Sequence, residues 1–188
     1  METEIVRKWI KLLKEAIENL YEKEKFIVES NVNERCMAAH IFASIKREWD
    51  ESGKLGGYDV DYEYNREGVN GVPKSLFCKY QNDKEKKYHF IIPDLILHKR
   101  GCETKEPNLC VIEFKKIGID PKDDIYKLEE MTRQDIDGKF KYVFGLHIVF
   151  GEKISQTEFE LFVNGKSIDK ISIDDIEKII DEIPMTWK

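Results

Sequence analysis

The sequence predicts a mixed α/β (α+β) fold with a central mixed sheet flanked by helices. Three observations carry the prediction. Helical spacing dominates roughly the first 50 residues, strand-length apolar runs follow, and a capped helical segment then separates these from two further strand-like runs.

Each element has its own reason. Val6, Ile10, Leu13, Ile17 and Leu20 recur at helical spacing and predict an N-terminal helix of about five turns. A second helix is predicted over residues 33–50, with Ala38, Ile41, Phe42, Ile45 and Trp49 on one face and Asn31 or Asn33 as its N-cap. Residues 58–65 alternate as a strand, with Val60, Tyr62 and Tyr64 on one side and Asp59, Asp61 and Glu63 on the other, the solvent side of an edge strand. Residues 66–74 hold two glycines and a proline and predict a flexible connection, with a short strand over 75–80. Strands follow over 90–97 and 109–115, joined by a Gly- and charge-rich turn over 101–108. Asp120 as cap, Pro121 at the first helical position and Gly138 past the end bound a helix containing Ile125, Leu128 and Met131. Residues 140–150 and 157–163 predict strands, and Asn164-Gly165 is a hairpin turn. Ser172 with Asp175 opens a final amphipathic helix that stops before Pro184. There is no internal repeat. At 188 residues and 22.2 kDa, one domain is expected, with a helical extension over 1–32, a core over 33–150, and a hairpin and helix over 151–188.

The two central apolar runs each carry a carboxylate where a buried strand should have none. A hairpin in which the numbers of facing residues sum to 207 sets Asp94 opposite Glu113, with Cβ atoms roughly 5 Å apart. Lys115 shares the Glu113 face because side chains alternate along a strand. A one-residue slip would separate the acids. Two carboxylates and an ammonium on one surface outline a divalent-cation and phosphate site. The alternative is a buried ion pair of Lys115 with Asp94 or Glu113, which seldom repays its desolvation. Two other Glu-x-Lys strings, at Glu85 and Glu103, lie in polar, turn-like surroundings and read as solvated charge.

The string Pro93-Asp94, eighteen intervening residues, then Glu113-Phe114-Lys115 resembles the signature of the PD-(D/E)XK nuclease superfamily, which includes many restriction endonucleases. The likeness extends over roughly residues 33–150. It implies a restriction-endonuclease-like αβββαβ core and Mg²⁺-dependent hydrolysis of phosphodiester bonds in DNA, with Mn²⁺ as a substitute. Asp94, Glu113 and the Phe114 carbonyl would hold the ion, with Lys115 ordering the attacking water and stabilising phosphoryl charge. The family also implies a ligand at Glu34, in the first turn of the second helix; complementing the helix dipole explains that position equally well. Glu63, Arg66 and Lys74 are candidate nucleic-acid contacts. Arg133 and Gln134 are weaker ones, explained as well by ordinary helix-surface polarity.

Composition limits the alternatives. The net charge of −6 and pI near 5.4 oppose a generally basic nucleic-acid binder, but Lys84, Lys86, Lys87, Lys99, Arg100, Lys115 and Lys116 cluster around the motif strands. The four cysteines, Cys36, Cys78, Cys102 and Cys110, have no C-x-x-C spacing and predict reduced thiols, hence a cytoplasmic protein. No membrane-length apolar run, nucleotide-cofactor fingerprint, serine-hydrolase elbow or zincin histidine spacing occurs. Single-site cleavage of both strands would favour a homodimer, or else a recruiting protein partner. The second functional class is a non-catalytic nucleic-acid- or protein-binding subunit of the same fold.

Overall fold

Apolar stripes at helical spacing dictate the first layer. Helix α1 (Glu2–Lys23) buries Val6, Ile10, Leu13, Ile17 and Leu20, and packs on α3 (Glu34–Glu51) after the short α2 (Lys25–Glu29). The rings of Trp9 and Trp49 meet edge to face at 5.9 Å across that junction. Asn33 caps α3, its side chain accepting from Cys36 N–H at 2.9 Å. The computed structural model describes residues 2–30, 32–77, 88–101 and 108–184. Asn31, Cys78, Cys102, Glu85, Glu103, the Lys84–Lys87 cluster and the centre of the predicted 101–108 turn lie outside them.

Six strands form one mixed sheet: β1 (Asp59–Tyr62), β6 (Leu95–His98), β7 (Cys110–Lys116), β8 (Phe144–Phe150), β9 (Glu158–Val163) and β10 (Lys166–Ser172), in that spatial order. Among the described residues, only β7 and β8 run parallel, joined through α4 (Lys122–Thr132); the other pairs are antiparallel. The expected α+β class with a mixed sheet between helices is what the chain forms. One face buries α1, α3 and the 3₁₀ segment Ile173–Asp181 against Leu95, Leu97, Ile112 and Phe114. The other buries α4, through Leu128 and Met131, against Ile96, Val111 and Phe162. Helix α4 comes close at Gly145, where an added Cβ would meet Leu128 Cδ2 at 3.0 Å and Thr132 Cγ2 at 3.1 Å.

Several boundaries differ from the sequence-based expectation. The strand expected over 90–97 is two pieces, β5 (Tyr88–Phe90) and β6, because Pro93 lacks the N–H a continuous ladder needs. Residues 66–74 are not a loose connection: β2 (Arg66–Glu67) and β3 (Val72–Pro73) pair around a glycine turn, and β4 (Ser75–Phe77) pairs with β5. Helix α4 ends at Thr132, well short of Gly138; Asp120 Oδ1 accepts from Lys122 N–H at 3.1 Å at its start. The strand after it begins at Phe144 rather than 140. Past Asn164-Gly165, both in the left-handed region, the chain makes β10, which the sequence reading passed over. The final segment is 3₁₀ rather than α, with no side-chain cap from Ser172.

Candidate functional site

The register decides whether the acids can meet. Leu95 pairs with Ile112, Ile96 with Val111 and Leu97 with Cys110, the alignment expected of the hairpin. One step further brings Asp94 beside Glu113, just before β6 begins. The Asp94 carboxylate takes over the missing ladder acceptor, its Oδ2 receiving Phe114 N–H at 2.8 Å. Val111, Glu113 and Lys115 alternate with Ile112 and Phe114 and so face α4.

Helix α4 lies over this face and supplies what the sequence reading missed. Lys127 Nζ sits 2.5 Å from Glu113 Oε2 and 3.0 Å from Asp124 Oδ1, bridging the two acids. Lys115 Nζ lies 2.6 Å from Asp124 Oδ2 and 3.7 Å from Glu34 Oε1. The expected alternative pairing of Lys115 with Asp94 or Glu113 is therefore replaced by one with Asp124 and Glu34. The signal was faint but present: Asp124 occupies the same helical stripe as Leu128 and Met131, a charge at a buried position. His147 was also passed over. It pairs in register with Glu113 and is 2% exposed, with Nε2 buried and unpartnered.

Electrostatics separate these groups. Glu113 is 1% exposed and, among the described residues, its Oε1 has no partner. Burial drives its carboxyl well above the usual range against the pull of Lys127, and Asp94 and Asp124 push it further. Burial likewise pushes Asp94 up to about 6, although the Phe114 N–H opposes the shift. Burial also acts on Asp124, but Lys127 and Lys115 overcome it and hold that acid below its usual value. Both lysines are held above theirs, since their acidic neighbours outweigh the burial that favours a neutral amine.

The remaining candidates divide. Glu34 lies in the first turn of α3, 3.7 Å from Lys115, so the cluster includes it. Glu63 does not join Arg66; it faces Arg35 at 3.2 Å from a left-handed backbone position. Lys74 is 2% exposed, and its Nζ donates to the carbonyls of Arg66 at 2.5 Å and Tyr64 at 3.3 Å, tying down the β1–β2 connection. Arg133 forks onto Asp135 and reaches Glu130, while Gln134 Nε2 donates to Thr132 and Tyr142 carbonyls; local structure occupies both. Asp61 is not on a solvent side: at 7% exposure it accepts from Arg100 and meets His98 Nε2 at 2.8 Å.

Among the described residues, no group of three or more His, Cys, Asp and Glu side chains converges closely enough to hold a metal ion. Lys127 and Lys115 stand among the acids instead. The donors nearest Glu113 are oxygens, one of them buried and unpaired, which is the chemistry of a hard cation such as Mg²⁺. Lys127 would have to release Glu113 Oε2 for that carboxylate to bind through both oxygens.

No family model matches the sequence, and no curated protein matches it. Among solved structures, a cryo-EM structure of a DrdV–DNA complex is similar, with a TM-score of 0.44 and 13% identity over 93% of this chain. This chain spans 14% of that one. Among the described residues no helix is long and apolar enough to cross a membrane.

Proposed function

We propose that the protein is a divalent-cation-dependent endonuclease that hydrolyses phosphodiester bonds in DNA. The observation that carries the reading is the junction of Asp94 with the Phe114 N–H, beside a buried Glu113 whose Oε1 lacks a partner. Two carboxylates that burial makes hard to ionise gain most from a cation, since its charge reverses the penalty. Asp94, Glu113 and the Phe114 carbonyl would hold Mg²⁺ or Mn²⁺. Once bound, the ion would supply Lewis acidity and a water of lowered pKa. Lys115, kept charged by Asp124 and Glu34, donates to a phosphoryl oxygen and offsets the negative charge gathering there. Glu34 acts through Lys115 rather than as an obligatory ligand. DNA as the substrate rests on the signature resemblance.

The test is cleavage of a DNA panel with Mg²⁺ or Mn²⁺. Activity should vanish with EDTA and in Glu113→Ala and Asp94→Ala. Equal residual cleavage in both variants would place the chemistry elsewhere. The Lys127 bridge supports a second reading, a binding subunit of this fold whose acids are already neutralised by lysine. Calorimetry separates the two: no divalent-ion binding in the presence of DNA favours the binding subunit.

A further inference from the structure

Along the same face of the sheet, beside His98, lies a cavity of about 600 Å³. His98 is four residues along from Asp94, about 13 Å by strand rise, so this cavity is separate from the acid cluster. Its lining carries five cations, Arg66, Lys74, Lys99, Lys139 and Lys141, against one carboxylate, Glu67. Five less one is a surplus of four positive charges, in a chain whose net charge is −6. Lys139 uses Glu67, at 2.7 Å, and Lys99 lies 5.0 Å from the Tyr58 ring centroid. Among the described residues, Arg66 and Lys141 meet no acidic side chain. Lys141 also holds a left-handed backbone, φ 51°, which is unfavourable for any residue with a Cβ.

The opposite character is present in the same lining. Tyr64, Val72 and Phe140 contribute an apolar wall. The Tyr64 ring is fixed from two directions, with Lys74 Nζ 4.8 Å and the His98 ring 4.8 Å from its centroid. His98, which lines the cavity, is itself held by Asp61, which also accepts from Arg100. Free phosphate would leave the apolar wall unused, and a neutral ring would leave the cations uncompensated.

We propose that this cavity is a nucleotide site, taking a nucleoside phosphate with its phosphate near Arg66 and Lys141 and its base against Tyr64, Val72 and Phe140. The ligand is either a free nucleotide or one nucleotide of a strand turned out of its stack. Neither metal nor hydrolysis is required, so the site is independent of the proposed nuclease reaction.

The experiment measures equilibrium binding in EDTA to deoxyadenosine monophosphate, deoxyadenosine, inorganic phosphate and a phosphorylated single-stranded oligonucleotide. The monophosphate should bind saturably, with deoxyadenosine and phosphate each at least about tenfold weaker. Arg66→Gln and Lys141→Gly should each weaken binding by about tenfold. Glycine adopts the Lys141 backbone without strain, so a loss in that variant cannot be blamed on misfolding. Binding of the oligonucleotide alone, with the same dependence on both variants, supports the site and assigns it to a strand. Phosphate binding as tightly as the monophosphate overturns the proposal. So do variants that bind like the parent, and saturable binding by neither nucleotide nor strand.

Discussion

Asp61 on β1 and Glu113 on β7 are both buried on the α4 face, at 7% and 1% exposure. Burial raises the pKa of each, yet the outcomes are opposite. The His98 imidazole and the Arg100 guanidinium overcome burial at Asp61 and hold it well below the usual carboxylate range. Glu113 has one ammonium on Oε2, nothing on Oε1, and two acids nearby that oppose its charge. The difference teaches that burial alone does not mark a functional acid. A saturated carboxylate serves the fold; an under-compensated one has capacity left for a ligand.

The sharpest break in that comparison is activity. Glu113→Ala and Asp94→Ala should each remove divalent-dependent cleavage by about 10³-fold or more, whereas Asp61→Ala should leave the rate per folded molecule within a few-fold. Steady-state rates on the same substrate decide it, and a comparable rate loss in Asp61→Ala would erase the distinction.

Stability should show the reverse order at Asp61. Its removal leaves His98 and Arg100 without their acid, and should cost about 2–3 kcal/mol, or roughly 4–12 °C in Tm. The half-exposed Arg100 can turn to water, which keeps the loss below that of a fully buried pair. An unchanged melting curve would contradict the structural role.

A subtler effect is expected at Asp94. The folded protein keeps this proton up to about pH 6, against an ordinary value of 3.8. Its contribution to stability is complete below about pH 4 and is lost as pH rises through 6, because ionising the buried acid is unfavourable. Asp94→Asn can still accept from Phe114 N–H but never ionises. In EDTA it should match the parent near pH 4 and exceed it by about 2 kcal/mol at pH 8. Denaturant titrations at both pH values test this, and a pH-independent difference would reject the assigned shift. Added Mg²⁺ should raise the melting temperature of the parent and not that of the variant.

The smallest effect concerns how α4 is seated. Gly145→Ala brings a methyl group to about 3.0 Å from Leu128 Cδ2, which should cost roughly 1–2 kcal/mol. Any shift of α4 carries Lys127 and Asp124 with it, so divalent-ion affinity should change while the Asp61 contacts stay intact. Titration of Mn²⁺ against both measures that selectivity.

Most of the fold was legible locally. The α1 stripe, the Asn33 cap and the Asn164-Gly165 turn each rest on contacts within a few residues, and each formed as expected. The register of β6 on β7 was legible too, because the hairpin pairing and the two-residue alternation of strands fix it. The Pro93 break was readable in hindsight from proline chemistry. The β2–β3 and β4–β5 pairings were not, since their runs are too short for periodicity.

What the chain alone determined is the set of carboxylates and the face they share, a matter of spacing and backbone alternation. What only tertiary structure decided is which charges meet them. Lys127 reaches Glu113 and carries Asp124 with it because the parallel crossover lays α4 over β7 and β8, seated close at Gly145. Lys115 meets Glu34 because α3, which begins at Glu34, packs against β7. Coulomb interactions depend on distance through space, and the distance between residues 113 and 127 is settled by packing rather than by their separation along the chain.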